Sequence, residues 1–420
     1  MRKALKILLV GIVIIALIAY ALFFWPLREK HPTVQLAKGV IAIRGATIYA
    51  SPDRAPLENA TLIARDGRIW AVGIDIPVPG DAQTLPCNRC TVTAGFWNAH
   101  VHFTEAKWLN AAWQRREKLN AQLADMLTSR GFTTVADLGS DLRVTVSIRR
   151  RIERGELDGP FLYTVGSAVY PENGIPYYLR DELPWYILKL MSQPSTPAEA
   201  VRDVQNNIRN GADALKLFTG SYVGRGAIKP MRANIAKAAV NVAHQNGQIV
   251  FAHASNIDGI RVALSTGVDV VAHAPDTTSG IDDVFIAEMA RKIILIPTLK
   301  LFATTVTQNA AYLDPIYDVV RRFHMHGGTM MFGTDAGYMT DYSTVDEYAA
   351  LEKCGLAAME ILRMLTVTPA KRFGVIEQKG TLDSGKIADF VVLGSDPARD
   401  VRAFAHVQMT VRSGKVIWKQ

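Results

Sequence analysis

The chain contains 420 residues, of which 49% are hydrophobic and 20% are charged. These proportions are typical of a globular enzyme and exclude a disordered or fibrous protein. The 47 lysines and arginines outnumber the 39 aspartates and glutamates, which gives a formal net charge of +8, but the basic residues are scattered and form no long run. This pattern indicates weak attraction to anionic surfaces, and we therefore expect no nucleic-acid partner.

An apolar segment without charges occupies residues 7–25, and three basic residues precede it. At about 1.5 Å per residue, a helix of this length crosses the hydrocarbon core of a membrane. A cleaved signal peptide is the alternative, but the segment ends in Phe-Phe-Trp-Pro rather than in a small-x-small cleavage site. We therefore predict a transmembrane anchor within residues 1–26, with the rest of the chain outside the cytoplasm, in the periplasm or the extracellular space.

The three cysteines are too few for a disulfide scaffold. Cys87 and Cys90 form a Cys-x-x-Cys pair among turn residues, and the sequence has no second pair to complete a four-cysteine zinc site. In an exported chain, this spacing predicts a local disulfide. Cys354 lies in a helical pattern and is expected to be a small buried residue.

Two β-rich segments flank a different middle. Residues 38–92 and 377–420 read as strands separated by turns, and we predict that they combine into one small β-sandwich. Between them, residues 93–376 alternate short apolar runs with helical segments, which predicts an α/β fold with a parallel sheet. Eight runs end near residues 102, 137, 165, 219, 253, 273, 298 and 335, so a (β/α)₈ TIM barrel is the expected closure. A loop at 170–186, rich in Pro and Tyr, is predicted to lie over the mouth.

Five of these runs carry, at or near their ends, the residues that we take as candidate metal ligands. Two histidines that are two positions apart in a strand point to the same face. A lysine between two leucines in a buried strand must lose or pair its charge, unless it reaches solvent at the strand end, and a neutral amine can take up carbon dioxide as a carbamate. The aspartate is a candidate proton acceptor or, alternatively, a helix N-cap. Each residue alone is weak evidence, but the ordered set predicts a two-metal hydrolase: His100, His102, Lys216, His253, His273 and Asp335.

From about residue 40 to residue 419, the chain resembles the amidohydrolase superfamily, in particular its imidazolonepropionase-like and prolidase-like branch. The segments that carry the resemblance include GFWNAHVHF, GADALKLFTG, GVDVVAHAPD, FGTDAG and GTLDSGKIADFVVL. The resemblance implies two divalent metal ions, of which zinc is the first choice and manganese or cobalt are alternatives. It places His100, His102 and Asp335 at one ion and His253 and His273 at the other, and a carbamate on Lys216 and a hydroxide bridge the two ions.

The activity that this resemblance implies is hydrolysis of a C–N bond in a small molecule: an amide, a cyclic amide or a dipeptide. The bridging hydroxide is the nucleophile and Asp335 is the general base. Ester, lactone or organophosphate hydrolysis at the same site stays open, and so does a metal-binding receptor without catalysis, although the intact Lys216 and Asp335 argue against the receptor. The resemblance also allows a homo-oligomer, whose size the sequence does not specify.

The substrate pocket is less defined, because the loop after the third strand departs from the pattern of that branch. We take candidates from predicted loops and strand ends, where binding residues concentrate. Among them, Arg225 is expected to bind a substrate carboxylate. The candidates are Tyr170, Asn173, Tyr177, Tyr222, Arg225 and Thr298.

Overall fold

The computed structural model describes residues 34–420 and, before them, Gly11, Val13 and Ile14. Apart from these three positions, the predicted membrane segment at residues 7–25 lies outside the described residues. Within the part of the chain that is described, no helix combines the length and the apolar character needed to cross a membrane.

The strands of the described chain fall into three groups. The first group is β1 (Val40–Tyr49), β2 (Leu57–Arg65), β3 (Arg68–Gly73), β4 (Gln83–Thr84) and β5 (Thr91–Ala94). The middle group is β6 (Phe96–Val101), β7 (Phe132–Asp137), β8 (Phe161–Thr164), β9 (Ala214–Gly224), β10 (Ala227–Pro230), β11 (Ile249–Ala254), β12 (Val270–Ala272) and β13 (Ile294–Ile296). The last group is β14 (Phe390–Leu393), β15 (Val407–Arg412) and β16 (Lys415–Lys419).

Strands from both ends of the described chain form a single eight-stranded sheet in the order β16-β15-β14-β5-β1-β2-β3, with β4 paired to β1. The two ends meet where β14 runs antiparallel to β5, so that Val392 lies opposite Val92. Alternate apolar residues such as Ile43, Leu62 and Val92 build the core on one face of this sheet. The division of the chain into a composite β-sandwich domain and a barrel domain stays a prediction.

Helices connect the barrel strands and cover them. Some of them begin at a side-chain cap. The Thr196 side chain accepts from the Glu199 amide while the Glu199 carboxylate accepts from the Thr196 amide, which is a capping box. The α-helices are Arg116–Met126, Leu142–Glu153, Tyr177–Arg180, Trp185–Leu188, Pro197–Arg209, Ala233–Gln245, Ile257–Thr266, Asp283–Lys292, Leu299–Thr305, Ala310–Met325, Val345–Lys353, Ala358–Leu365 and Val367–Arg372. Short 3₁₀ helices lie at Ala106–Trp108, Thr128–Arg130 and Val401–Ala405.

Two backbone connections close the middle strands into a barrel. Strands β6, β7 and β8 form one parallel sheet, and β9, β11, β12 and β13 form part of another. Val169 joins the two sheets on one side, because its amide donates to the Lys216 carbonyl at 2.9 Å. On the other side, residues 330–336 pair with β13 through Met330 and with β6 through Ala336. The eight parallel segments confirm the predicted TIM-barrel-like α/β fold.

The cysteines behave as the sequence predicts. Cys87 and Cys90 form a disulfide whose Cα atoms lie 5.2 Å apart. Cys354 is fully buried and carries a free thiol. The disulfide fixes the turn that precedes β5, the strand through which the two ends of the sheet are joined.

Candidate metal centre

The alternation of strand residues points Lys216 and His253 into the barrel. Leu215 and Leu217, on either side of Lys216, pack in the layer between strands and helices. Ala252 and Ala254 belong to the same layer and flank His253. Because neighbouring side chains of a strand point to opposite faces, Lys216 and His253 face the interior.

His100 and His102 converge with Asp335 at the end of β6. Val101, between the two histidines, packs in the outer layer, so both imidazoles face inward. Their Nε2 atoms lie 3.2 Å apart. The Oδ1 atom of Asp335 lies 3.1 Å from Nε2 of His100 and 3.0 Å from Nε2 of His102. At Gly337, a Cβ atom would lie 1.8 Å from the His102 carbonyl oxygen, so only glycine allows this close approach.

These three donor atoms fit a divalent cation. Two ligands that bind one ion at about 2.1 Å, with an angle between about 90° and 110°, lie about 3.0–3.4 Å apart. Oδ1 of Asp335 and the Nδ1 atoms of His100 and His102 are buried and make no hydrogen bond to any described residue. Within the same part of the chain, the ligand atoms of His100, His273 and Asp335 also lie within 4.8 Å of one another. The geometry therefore defines a metal-binding group.

The ionisation of this group suits a metal ion. Burial lowers the pKa of His100 to about 3, against a smaller opposing effect of Asp335, so its imidazole is neutral at pH 7. Burial raises the pKa of Asp335, but the imidazoles of His100, His102 and His273 outweigh this effect and hold that pKa well below its usual value. Neutral imidazoles and an ionised carboxylate are the forms that ligate metals.

Hydrogen bonds fix the tautomers of the other two histidines. The Thr298 hydroxyl donates to the Pro297 carbonyl at 2.8 Å, so it accepts from Nδ1 of His273, which lies 2.7 Å away. This leaves Nε2 of His273 as the ligand atom. The Ser255 hydroxyl donates to the Gly220 carbonyl at 3.2 Å and accepts from Nε2 of His253 at 3.0 Å. His253 therefore presents Nδ1, the opposite nitrogen.

Three residues at this cluster have a strained backbone. His273, Thr298 and Asp335 adopt positive φ angles of 80°, 47° and 60°. For residues other than glycine, such conformations cost about 1–3 kcal/mol each and persist where the surroundings enforce them. The fold therefore holds these three residues in unfavourable backbone conformations, and these conformations place their side chains at the cluster.

Lys216 is enclosed rather than extended toward solvent. Its side chain is 1% exposed, which rules out the alternative of a strand-end lysine reaching water. Burial lowers its pKa from 10.5 to about 7, although Asp335 opposes the change. The Nζ atom makes no hydrogen bond among the residues that the structure describes. A substantial part of this amine is therefore uncharged at neutral pH.

The N-cap alternative for Asp335 also fails. The peptide amides of Tyr338 and Met339 donate to the Asp335 carbonyl in a tight turn, and the next helix begins only at Val345. The Asp335 carboxylate is thus directed to the histidines and caps no helix.

The six candidate pocket residues lie in different environments. Tyr170 is buried against Phe218, with ring centroids 4.5 Å apart, and Tyr177 is half-buried at the start of a short helix. The Tyr222 hydroxyl donates to Asp276, and Thr298 contacts His273. Two candidates are exposed: Asn173 in a turn and Arg225 at the tip of the β9–β10 hairpin. Their roles in substrate binding stay predictions.

Sequence reasoning missed two carboxylates. Asp137 ends β7 and is fully buried, and it accepts hydrogen bonds from the hydroxyls of Ser140 and Thr164. Burial raises its pKa, and His102 partly opposes this effect. Asp276 lies three positions after His273, in the loop that follows β12. The signal for Asp137 was available, because its apolar run ends in aspartate as the eighth run does.

The barrel and this donor set are typical of metal-dependent hydrolases built on a TIM barrel. The chain belongs to the amidohydrolase family, whose sequence model matches residues 91–417. It is 23% identical over 395 residues to an imidazolonepropionase of Thermoplasma acidophilum, which covers 86% of this chain and 90% of that protein. These matches confirm the predicted resemblance and support hydrolysis of C–N bonds in general.

Other relatives match less of their length or show the fold alone. An uncharacterized protein of Mycobacterium tuberculosis is 24% identical over 247 residues, covering 55% of this chain and 64% of that protein, so the chain spans less than two thirds of that relative. A Xaa-Pro dipeptidase with bound methionine superposes with a TM-score of 0.78 at 21% identity, over 91% of this chain and all of that one. An ochratoxinase of A. niger gives 0.72 at 22% identity, over 91% and 96% of the two chains.

Proposed function

We propose that this protein hydrolyses an amide bond, in a linear or cyclic small molecule or a dipeptide, with two divalent metal ions, zinc being the first choice. The convergence of His100, His102 and Asp335 within 3.2 Å is the observation that carries the proposal. The family match and the imidazolonepropionase relative support the bond type.

Each ligand has a place in this proposal. His100, His102 and Asp335 would hold one ion, and His253 and His273 would hold the other through the nitrogens that Ser255 and Thr298 leave free. When bound, the ions would polarise the scissile carbonyl and lower the pKa of a water molecule toward about 7.

Lys216 would supply the oxygen ligand between the two ions. Its uncharged amine attacks the carbon of carbon dioxide, the N–H proton leaves to solvent, and the product is a carbamate with one negative charge. The low pKa of Lys216 supports this step, because only the unprotonated amine is a nucleophile. The added negative charge would offset part of the positive charge of two divalent cations in a buried site.

Asp335 would move the proton. With Oδ1 directed at the two histidines, Oδ2 is the oxygen that would take a proton from the attacking water and pass it to the nitrogen of the leaving amine. The low pKa of Asp335 keeps it ionised and ready to accept before each turnover.

We also propose that residues 1–26 anchor the enzyme to a membrane and that the barrel lies outside the cytoplasm. The uncharged run at residues 7–25 and the basic residues before it support this location. The substrate would then be met outside the cell or in the periplasm.

The test combines metal content with hydrolysis of a panel of dipeptides, N-acyl amino acids, cyclic amides, esters and lactones. We expect about two metal ions per chain, turnover of amides, and the loss of both in Lys216→Ala but not in the control Lys229→Ala, a half-buried lysine on β10. A folded Lys216→Ala variant that keeps its metal and its rate would overturn the role of Lys216. If the protein hydrolysed esters and no amide, the proposed amide bond would be wrong and an ester bond would take its place.

A further inference from the structure

A second carboxylate, Asp276, is held at the same end of the barrel by two tyrosines. The Tyr222 hydroxyl donates to its Oδ1 at 2.9 Å, and the Tyr312 hydroxyl donates to its Oδ2 at 3.1 Å. Tyr222 belongs to β9, and Tyr312 belongs to the helix Ala310–Met325. Two separate elements therefore fix this one side chain.

The negative charge of Asp276 has no cationic side chain beside it. Within the described residues, no lysine, arginine or histidine nitrogen pairs with it within 4.0 Å. Tyrosine hydroxyls satisfy hydrogen-bonding capacity but supply no charge, and a partly desolvated carboxylate without a counter-ion is costly. Asp276 is half-buried, so part of this residue stays accessible.

Asp276 belongs to the neighbourhood of the metal centre. The Thr277 amide donates to the Ser255 carbonyl at 3.0 Å, and the Ser255 side chain contacts His253. Burial raises the pKa of Tyr178 well above its usual value, and the charges of Asp335 and Asp276 add to this effect, so both carboxylates act on one side chain. A substrate whose scissile bond reaches Asp335 can thus place another group at Asp276.

We propose that Asp276, positioned by Tyr222 and Tyr312, is a subsite for the ammonium or guanidinium group of a substrate. The inference rests on the proposed function only in calling the ligand a substrate whose amide bond is cleaved. The binding of a cationic group at Asp276 does not depend on that reaction. A cationic group would supply the positive charge that the two tyrosines do not. The fixed carboxylate would therefore favour substrates that carry an ammonium or guanidinium group. Neutral analogues of the same shape would bind more weakly, because nothing replaces the lost charge.

Matched ligands test the subsite in the metal-loaded protein. Affinity is measured by calorimetry, and for a ligand that the protein hydrolyses the KM of hydrolysis takes the place of the dissociation constant. One pair is N-acetyl-L-lysine and N-acetyl-L-norleucine, which differ by a side-chain ammonium group. The other pair is glycyl-L-leucine and glycolyl-L-leucine, which differ at the amino terminus. We expect one pair to show an affinity ratio of about 10- to 100-fold in favour of the cation. The pair that shows it tells which end of the substrate reaches Asp276.

The variant Asp276→Asn keeps the shape of the side chain and removes its charge. We expect it to abolish the affinity ratio while neutral ligands bind as before. Asp314→Asn, an exposed acid on the same helix as Tyr312, removes an equal charge and should leave the ratio unchanged. Equal binding of both members of each pair to the unmodified protein would overturn the subsite. A cation preference without hydrolysis of any amide would support the subsite and reject the proposed reaction.

Discussion

Replacing Lys216 by methionine should stabilise the metal-free protein at neutral pH. Methionine has a similar length and no charge, so it fits the space that the lysine occupies without the cost of burying an ammonium group. Lys216 is 1% exposed and has no hydrogen-bond partner within the described chain, so the substitution breaks no hydrogen bond there and loses only a distant contact, 5.9 Å from Nζ to the centre of the Phe218 ring.

The size of the effect follows from the pKa of Lys216. The difference between 10.5 and about 7, at about 1.4 kcal/mol for each pKa unit, corresponds to about 5 kcal/mol. In the unfolded chain the amine keeps its proton up to about pH 10.5, whereas in the folded chain it loses the proton near pH 7. Between these values the unfolded state binds more protons, so the stability of the unmodified protein rises with pH. The advantage of Lys216→Met should therefore be largest at pH 7 and should shrink toward pH 10.

The assay is urea denaturation of both proteins at pH 7, 8.5 and 10, with a chelator present and carbon dioxide removed. Lys300→Met is the matched control. Lys300 is 3% exposed, but its ammonium group donates to Asp341 Oδ2 at 2.7 Å and to the Ser343 carbonyl at 2.8 Å. The same substitution there should destabilise the protein by about 1–3 kcal/mol.

An Lys216→Met variant that is less stable than the unmodified protein at pH 7 would refute this reasoning. So would a stability difference that stays constant from pH 7 to pH 10. Either result would mean that the Lys216 amine is well solvated or paired in the folded state, and that it is not poised for carbamate formation.

Three further predictions concern the metal ligands. Thr298→Val removes the acceptor of the His273 Nδ1 hydrogen bond and should weaken zinc binding by about 10- to 100-fold in a chelator competition, while Thr305→Val on the helix Leu299–Thr305 should not. Asp335→Asn should lower turnover by at least about 100-fold while circular dichroism shows an intact fold, and a variant with ordinary turnover would exclude a proton-transfer role. Because burial lowers the pKa of His100 from 6.5 to about 3 and that of His273 well below 6.5, the unfolded chain binds more protons under mild acid. The metal-free protein should then lose about 3 kcal/mol of unfolding free energy between pH 6.5 and pH 5, and a flat profile would contradict the burial of these imidazoles.

The barrel and the donor group of His100, His273 and Asp335 could be predicted from the sequence because each signal is local. A short apolar run that ends in His, Lys or Asp indicates both a strand and the side chain presented at its end. Neighbouring side chains of strand β9 point to opposite faces of the sheet, so Lys216 and its two leucine neighbours face opposite sides. The sequence alone shows this alternation.

Contacts between distant segments could not be predicted. Thr298 was a candidate for substrate binding, but its hydroxyl contacts His273, 25 positions away, and no local pattern specifies that pairing. Arg225 and Asn173 lie on loops, whose exposure depends on how the neighbouring elements pack. Asp276 was missed because its partners, Tyr222 and Tyr312, come from two other parts of the chain.

The pairing of β5 with β14 determines when the small sheet can be completed during synthesis. Val92 of β5 lies opposite Val392 of β14, so β5 cannot form this pair until the ribosome has added 300 more residues. At about 5–20 residues per second, that wait lasts about 15–60 s. Throughout it, the edge of β5 is an unpaired template to which other nascent chains can add. Rapid closure of the barrel between the two strands shortens the search for the partner, since a folded barrel brings its own ends together. The eight-stranded sheet can thus be completed only after the whole barrel has been synthesised.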